Sequence, residues 1–295
     1  MRAMTKSPLR FAREALALGQ AGLPTYSGRF SRRDFTQPQL FALLALKVFF
    51  KTDFRGVVAL VSDLPEIQRT LGLRKVPHYS TLCYAQERLL AEGSFQRLLK
   101  AVWVQAKALG LVGDQPEVAL DSTGLETRHV SAYYVNRRGD LRFKQKHWPK
   151  LTAVCHTATH LLAGAVPGRG PSTDSFQCPP AVRQAAEHLE IDRLLADMGY
   201  DAEHVHELCR DELGIRSTVI PINVRNTGRR WPKAKYRRQM RRRFHKRKYG
   251  QRWQIESAFS RHKRRLGSAL TARSDAAQNS EILLRVLVHN LLILR

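Results

Sequence analysis

Acidic residues are scarce in this chain. Against 50 Lys and Arg there are 25 Asp and Glu, which leaves a formal charge of +25 and a pI near 10.7. A surface that repels itself this strongly implies a polyanionic partner, with nucleic acid the first candidate and anionic membrane the rival. Long apolar runs are also missing. The stretch "LFALLALKVFF" is too short to span a bilayer and carries Lys47, and the closing "EILLRVLVHNLLILR" is interrupted by Arg285, His289 and Asn290. No secretory signal is visible in "MRAMTKSPLRFAREALALGQ". Cysteine is sparse as well: Cys83, Cys155, Cys178 and Cys209 form no CxxC pair, so reduced thiols in a cytoplasm are expected. A zinc site from Cys155, His156 and His160 is set aside, because those residues lie on a predicted hairpin without a second ligand pair.

What is present suffices for a real core. The chain has 295 residues, 43% of them hydrophobic, room for one large domain or a core domain with a smaller companion. Apolar residues recur at helical spacing from Leu40 to Phe50 behind a Thr36 cap, and again in "YSTLCYAQERLL" with Ser80 as its cap. The first 115 residues therefore read as helical, with Thr81 to Leu90 as a candidate groove-facing helix of a DNA-binding or accessory region. At "PEVALDSTGLETR" the texture changes to a short strand, Val118 to Leu120, ending at Asp121 and followed by a small-residue turn. "KLTAVCHTATHLLAGAVPG" predicts a hairpin turning at Thr157 to Thr159, and "PAVRQAAEHL" predicts a helix. A strand from Leu194 to Ala196 ends at Asp197, a helix follows from about Ala202 to Leu213, and "STVIPI" is another short strand. Strands in hairpins and then alternating with helices indicate an α/β layer domain over residues 116–295.

The acids that do occur are placed suggestively. Asp121 and Asp197 each close a predicted strand, where an α/β sheet presents its site. Residues 213–255 hold fifteen Lys or Arg and no acid, and then Glu256 appears. At about 100° per residue, Tyr249, Arg252, Glu256 and Lys263 project from one face of a helix, beside an apolar edge of Ile255, Phe259 and Leu266. A surface this cationic gathers three carboxylates most readily to hold divalent cations. Which acid of "ADMGYDAE" joins the set is a choice between Asp197, which ends an apolar run, and Asp201, which precedes a helix and suits its N-cap.

At these positions the sequence resembles the DDE transposases of bacterial insertion sequences, in particular the group of insertion-sequence families four and five that carries a Tyr-x2-Arg-x3-Glu-x6-Lys signature. Here the signature reads Tyr249, Arg252, Glu256 and Lys263 with every spacing intact; "ALDST" is similar to the family's first catalytic segment and "ADMGYD" to its second. The tail "RRLGSALTARSDAAQNSEILLRVLVHN" is similar to the usual continuation, so the resemblance covers about residues 115–295. The interval from Asp197 to Glu256 leaves little room for the large β insertion of some members; a basic insertion at about 223–248 stands there instead.

The resemblance implies a ribonuclease-H-like fold and metal-dependent cutting and joining of transposon ends. It implies two Mg²⁺ ions, replaceable by Mn²⁺, with Asp121 bridging them and Asp197 and Glu256 each holding one. Arg252 and Lys263 would then grip phosphates flanking the scissile one and Tyr249 would donate to another. The implied partners are the terminal inverted repeats and target DNA, met by a homodimer or higher oligomer on paired ends in a bacterial cytoplasm. Within the basic insertion, Arg229 and Arg230 are candidate DNA contacts and Trp231 a candidate stacking platform for an unpaired base. Two rivals remain at this level: a metal-dependent nuclease that cuts without joining, and a basic nucleic-acid-binding protein whose acids are structural.

Overall fold

The computed structural model describes residues 5–127, 148–172, 174–224 and 231–294, and the chain divides into two compact units. One is helical and gathers residues 5–109 and 127 with 262–294; the other holds 110–126 and 148–261. The helical unit begins with α1 (Pro8–Gly22), α2 (Gln37–Phe49), α3 (Phe54–Asp63), α4 (Pro65–Leu71), α5 (Tyr79–Leu89) and α6 (Glu92–Ala108). Thr36 caps α2 in a capping box with Gln39: each side chain bonds the other's backbone N–H, satisfying donors that the first turn leaves free. The expected cap of α5 is corrected. That helix starts earlier than the reading from Ser80, so His78 takes the cap position, its ring accepting from the Ser80 N–H, while the Ser80 hydroxyl meets the same ring nitrogen. Leu82, Ala85, Gln86 and Leu89 turn α5 inward against α2 and α3.

The second unit is built on a five-stranded mixed sheet. Its strands are β1 (Glu117–Gly124), β2 (Pro149–His156), β3 (Leu162–Arg169), β4 (Arg193–Ala196) and β5 (Ser217–Val219), in the spatial order β3-β2-β1-β4-β5. The first three form an antiparallel meander, and β4 and β5 add in parallel on the free edge of β1. This is the ribonuclease-H-like arrangement. All of β2 is buried, as a central strand covered on both faces must be. Helix α7 (Cys178–Ala186) lies on β2 and β3, so close that a Cβ at Gly164 would stand 2.2 Å from the Ala181 carbonyl oxygen. One strand end is corrected: β1 does not stop at Asp121 but continues through Ser122 and Thr123 to Gly124, because these residues pair with Ala153 to Lys150 of β2. The ladder overrides the turn tendency of the small residues.

After β4 come a 3-10 turn (Met198–Tyr200), the short helix α8 (Glu203–Glu207) and a π-helical turn (Leu208–Glu212). Beyond β5 lie α9 (Lys235–Arg242), α10 (Lys246–Tyr249), a 3-10 turn (Gly250–Arg252), α11 (Trp253–Leu266) and the C-terminal helix α12 (Asp275–Ile293). No helix among the described residues is long and apolar enough to cross a membrane.

Helix α12 belongs to the helical unit and packs on α1, α2, α5 and α6, with Arg285 paired to Glu281 in its interior and bonded to the carbonyls of Gly267 and Ala269. Nearby, Lys47 of α2 is buried, donates to Gln86 at 2.7 Å and lies 3.9 Å from the centre of the Phe54 ring. Burial pushes its ammonium down from the ordinary 10.5 to about 8. Between those values the unfolded chain carries a proton that the folded chain has released, so unfolding takes up a proton and stability rises as pH increases from about 8 to 10.5. We expect the wild type to gain roughly 3 kcal/mol on Lys47→Met across that window, on a scale of about 1.4 kcal/mol per pKa unit. Paired melting curves read this difference, and a gap independent of pH would contradict it.

Candidate active site

Parallel pairing between β1 and β4 ends at Leu120 opposite Ala196, and the next residue on each strand is an aspartate. Asp121 and Asp197 therefore lie side by side where the parallel pairing stops, Asp121 within β1 and Asp197 just past the end of β4. Asp121 Oδ1 accepts from the Ser122 N–H at 2.8 Å, and Asp197 Oδ1 accepts from the Gly199 N–H at 2.6 Å, capping the 3-10 turn that leads out of β4. Ser122 bridges the two elements: its hydroxyl lies 3.0 Å from the Tyr200 hydroxyl and 2.7 Å from that of Thr152. The sequence reading took Ser122 for a turn residue and passed over Tyr200.

The third acid arrives on α11. Tyr249, Arg252, Glu256 and Lys263 do not share one continuous α-helix, which corrects the expected stripe. Tyr249 closes α10, Arg252 ends the 3-10 turn, and Glu256 lies in the first turn of α11. Gly250, a poor helix former, stands where the tighter turn begins. Lys263 is farther along α11, within the helical unit. Arg252 ties the assembly together. Its guanidinium donates to Asp121 Oδ2 at 3.1 Å and also to Glu256 Oε1. Arg252 and Asp121 are each only 20% exposed, whereas Glu256 is 56% exposed.

The electrostatics couple these groups. Burial raises the Asp121 carboxyl above the ordinary carboxylate value; the Ser122 N–H and Arg252 pull it down, and the negative charges of Asp197 and Glu256 push it up. Burial likewise raises the Tyr249 phenol; the positive charge of Arg252 opposes the rise, and the negative charges of Asp197 and Asp121 add to it. The acids offer only hard carboxylate oxygens, the donor set that suits Mg²⁺ or Mn²⁺. Among the described residues no three His, Cys, Asp or Glu side chains close into a ready-made cation cage, and the Arg252 fork stands between two of the acids.

Asp201 does a different job from the N-cap expected of it. Ala202 caps α8 without a side-chain bond, while the wholly buried Asp201 carboxylate accepts two bonds from Arg237 at 2.9 and 2.7 Å and one from the Asn223 N–H at 2.7 Å. Glu203 accepts the backbone N–H groups of Tyr236 and Arg237 at 2.7 and 3.0 Å, supplying the cap that α9 lacks from its own Ala234. Asp211 accepts from the Tyr236 hydroxyl. These acids fix one face of α9, and the other faces solvent with Arg238, Arg241 and Arg242. Trp231 is 58% exposed, with the guanidiniums of Arg241 and Arg242 at 5.9 and 6.0 Å from its ring. Arg229 and Arg230 lie outside the described residues. Trp253, half exposed and next to Arg252, was missed in the sequence, where "RWQIE" sets an aromatic beside the charged signature.

A family model described as the transposase DDE domain matches residues 113–291. The chain belongs to that family. No curated protein matches it. The matched span of the DDE domain contains the sheet, Asp121, Asp197 and all of α11. Membership makes the chain a transposase of a family that acts on DNA and generally uses divalent metals.

Proposed function

We propose that this transposase cleaves DNA at the ends of a mobile element and joins the freed ends to target DNA, working as a homodimer or higher oligomer in the cytoplasm with two Mg²⁺ ions, or Mn²⁺ in their place. The reading is supported most by the juxtaposition of Asp121 and Asp197 where the parallel pairing of β1 and β4 ends, with Glu256 within electrostatic reach of Asp121. Asp121, Asp197 and Glu256 would hold the ions, which supply charge neutralisation at the phosphate and activation of the attacking water or 3′ hydroxyl. The chain's own contribution is orientation. Ser122 and Gly199 fix the aspartate oxygens through their N–H groups, and Tyr249, Arg252 and Lys263 offer donors to flanking phosphates.

The exposed side of α9 extends this into a track for the DNA backbone. Arg238, Arg241 and Arg242 have no carboxylate partner among the described residues, while the helix beneath them is fastened by Asp201, Glu203 and Asp211. Trp231 at its start is offered to an unpaired base near the break. The Arg241→Ala/Arg242→Ala variant should lower the slope of log K against log salt by about two, at roughly 0.9 per phosphate contact. An unchanged slope would remove α9 from the DNA interface.

The deciding experiment supplies the element's own end DNA and a target plasmid with Mg²⁺. Joined end–target products are expected. Cut ends without joining would leave a nuclease, and cleavage in the absence of any divalent cation would overturn the metal-dependent reading.

A further inference from the structure

Arg252 has two carboxylates where its expected phosphate role needs none. One arm reaches Asp121 across a sequence separation of 131 residues, and the other reaches Glu256 one turn ahead on the same segment. The remaining Asp121 oxygen is taken by the Ser122 N–H. A single planar fork thus neutralises two of the three acids. A guanidinium stays protonated at any physiological pH, so it leaves this position only by being displaced.

We propose that Arg252 is an internal counter-cation: it occupies the space between Asp121 and Glu256 in the DNA-free protein, and divalent cations load the site only by expelling it. This rests on the reading of the three acids as a cation site and adds its regulation. The expelled guanidinium loses two anionic partners and regains one when DNA phosphate is at hand. Cation binding and DNA binding therefore promote each other, and by linkage the coupling is the same in either direction. A DNA-free transposase of this design keeps its cutting centre poorly loaded, which restrains indiscriminate cleavage.

The test uses Mn²⁺ alone with the full chain, its binding followed by the electron-paramagnetic signal of the free ion. Arg252→Gln should bind Mn²⁺ at least tenfold more tightly than wild type, and Mn²⁺ should raise its melting temperature by more. Arg252→Lys keeps the charge but cannot span both carboxylates, so it should bind at least threefold more tightly than wild type. It also carries the test if the Gln variant folds poorly. Lys246→Ala, which removes a nearby exposed charge without touching the bridge, should stay within twofold of wild type. Equal or weaker binding by Arg252→Gln, or wild-type affinity in Arg252→Lys, would overturn the counter-cation role alone. Absence of Mn²⁺ binding by wild type and variants alike would overturn the cation site itself.

Discussion

Asp121→Asn is expected to lose cleavage by about a thousandfold or more, roughly 4 kcal/mol of barrier, while binding end DNA at least as well as wild type. Asn keeps the shape of Asp121 and can still accept the Ser122 N–H, so this part of β1 stays in place. What disappears is the charge on an acid only 20% exposed, against 56% for Glu256. A neutral amide is a poor ligand for a hard divalent cation, and fewer carboxylates also mean less repulsion of phosphate. Glu256→Gln should behave alike, with a smaller fold loss because Glu256 is more exposed. Single-turnover cleavage combined with a gel-shift titration separates the two effects. Near wild-type cutting by Asp121→Asn would remove it from the catalytic set.

Asp201→Ala should lose stability rather than chemistry, by about 3 to 5 kcal/mol, the usual cost of removing one partner of a buried ion pair. The lost carboxylate accepts from the Arg237 fork and the Asn223 N–H, and an alanine leaves both without that acceptor. Helix α9 is then held chiefly by Glu203, Asp211 and the Arg210 bond to Gln239, so its basic face should detach first. Asp197→Asn should show the reverse: a melting temperature near wild type, since the amide oxygen can still accept from Gly199, and no measurable cleavage at any Mg²⁺ or Mn²⁺ concentration. Thermal melts and cleavage assays on both variants, with Asp201→Asn as a milder third, read the two roles separately. A dead but stably folded Asp201→Asn protein beside an active Asp197→Asn protein would exchange them.

The contrast between these two aspartates shows how much could be read in advance. Asp197 was legible because it follows an apolar run, and the strand it ends is observed as Arg193–Ala196. The hairpin, a helix through "PAVRQAA" and the Thr36 cap were legible for the same reason: their signals are local, although that helix begins two residues earlier, at Cys178. Asp201 also had a local interpretation, as a cap, but its partner Arg237 lies 36 residues on, and Glu203 caps a helix 33 residues away. No periodicity announces such pairings. The end of β1 was misjudged on the same grounds, since Ser122, Thr123 and Gly124 read as a turn until a neighbouring strand supplies their hydrogen bonds. Arg252 was recognised by its spacing, yet its attachment to Asp121 exists only once β1 and the turn before α11 are brought together.

The central claim is that Asp121, Asp197 and Glu256 ligate the cations that drive cleavage, and a ligand swap tests it most directly. Asp121→Cys and Asp197→Cys place a softer sulfur where a hard oxygen stood, a change that disfavours Mg²⁺ far more than Mn²⁺. Cleavage of end DNA should vanish for both variants in Mg²⁺ and return in part in Mn²⁺, while wild type cuts in either. Cleavage by the cysteine variants in Mg²⁺ at the wild-type rate would contradict the account.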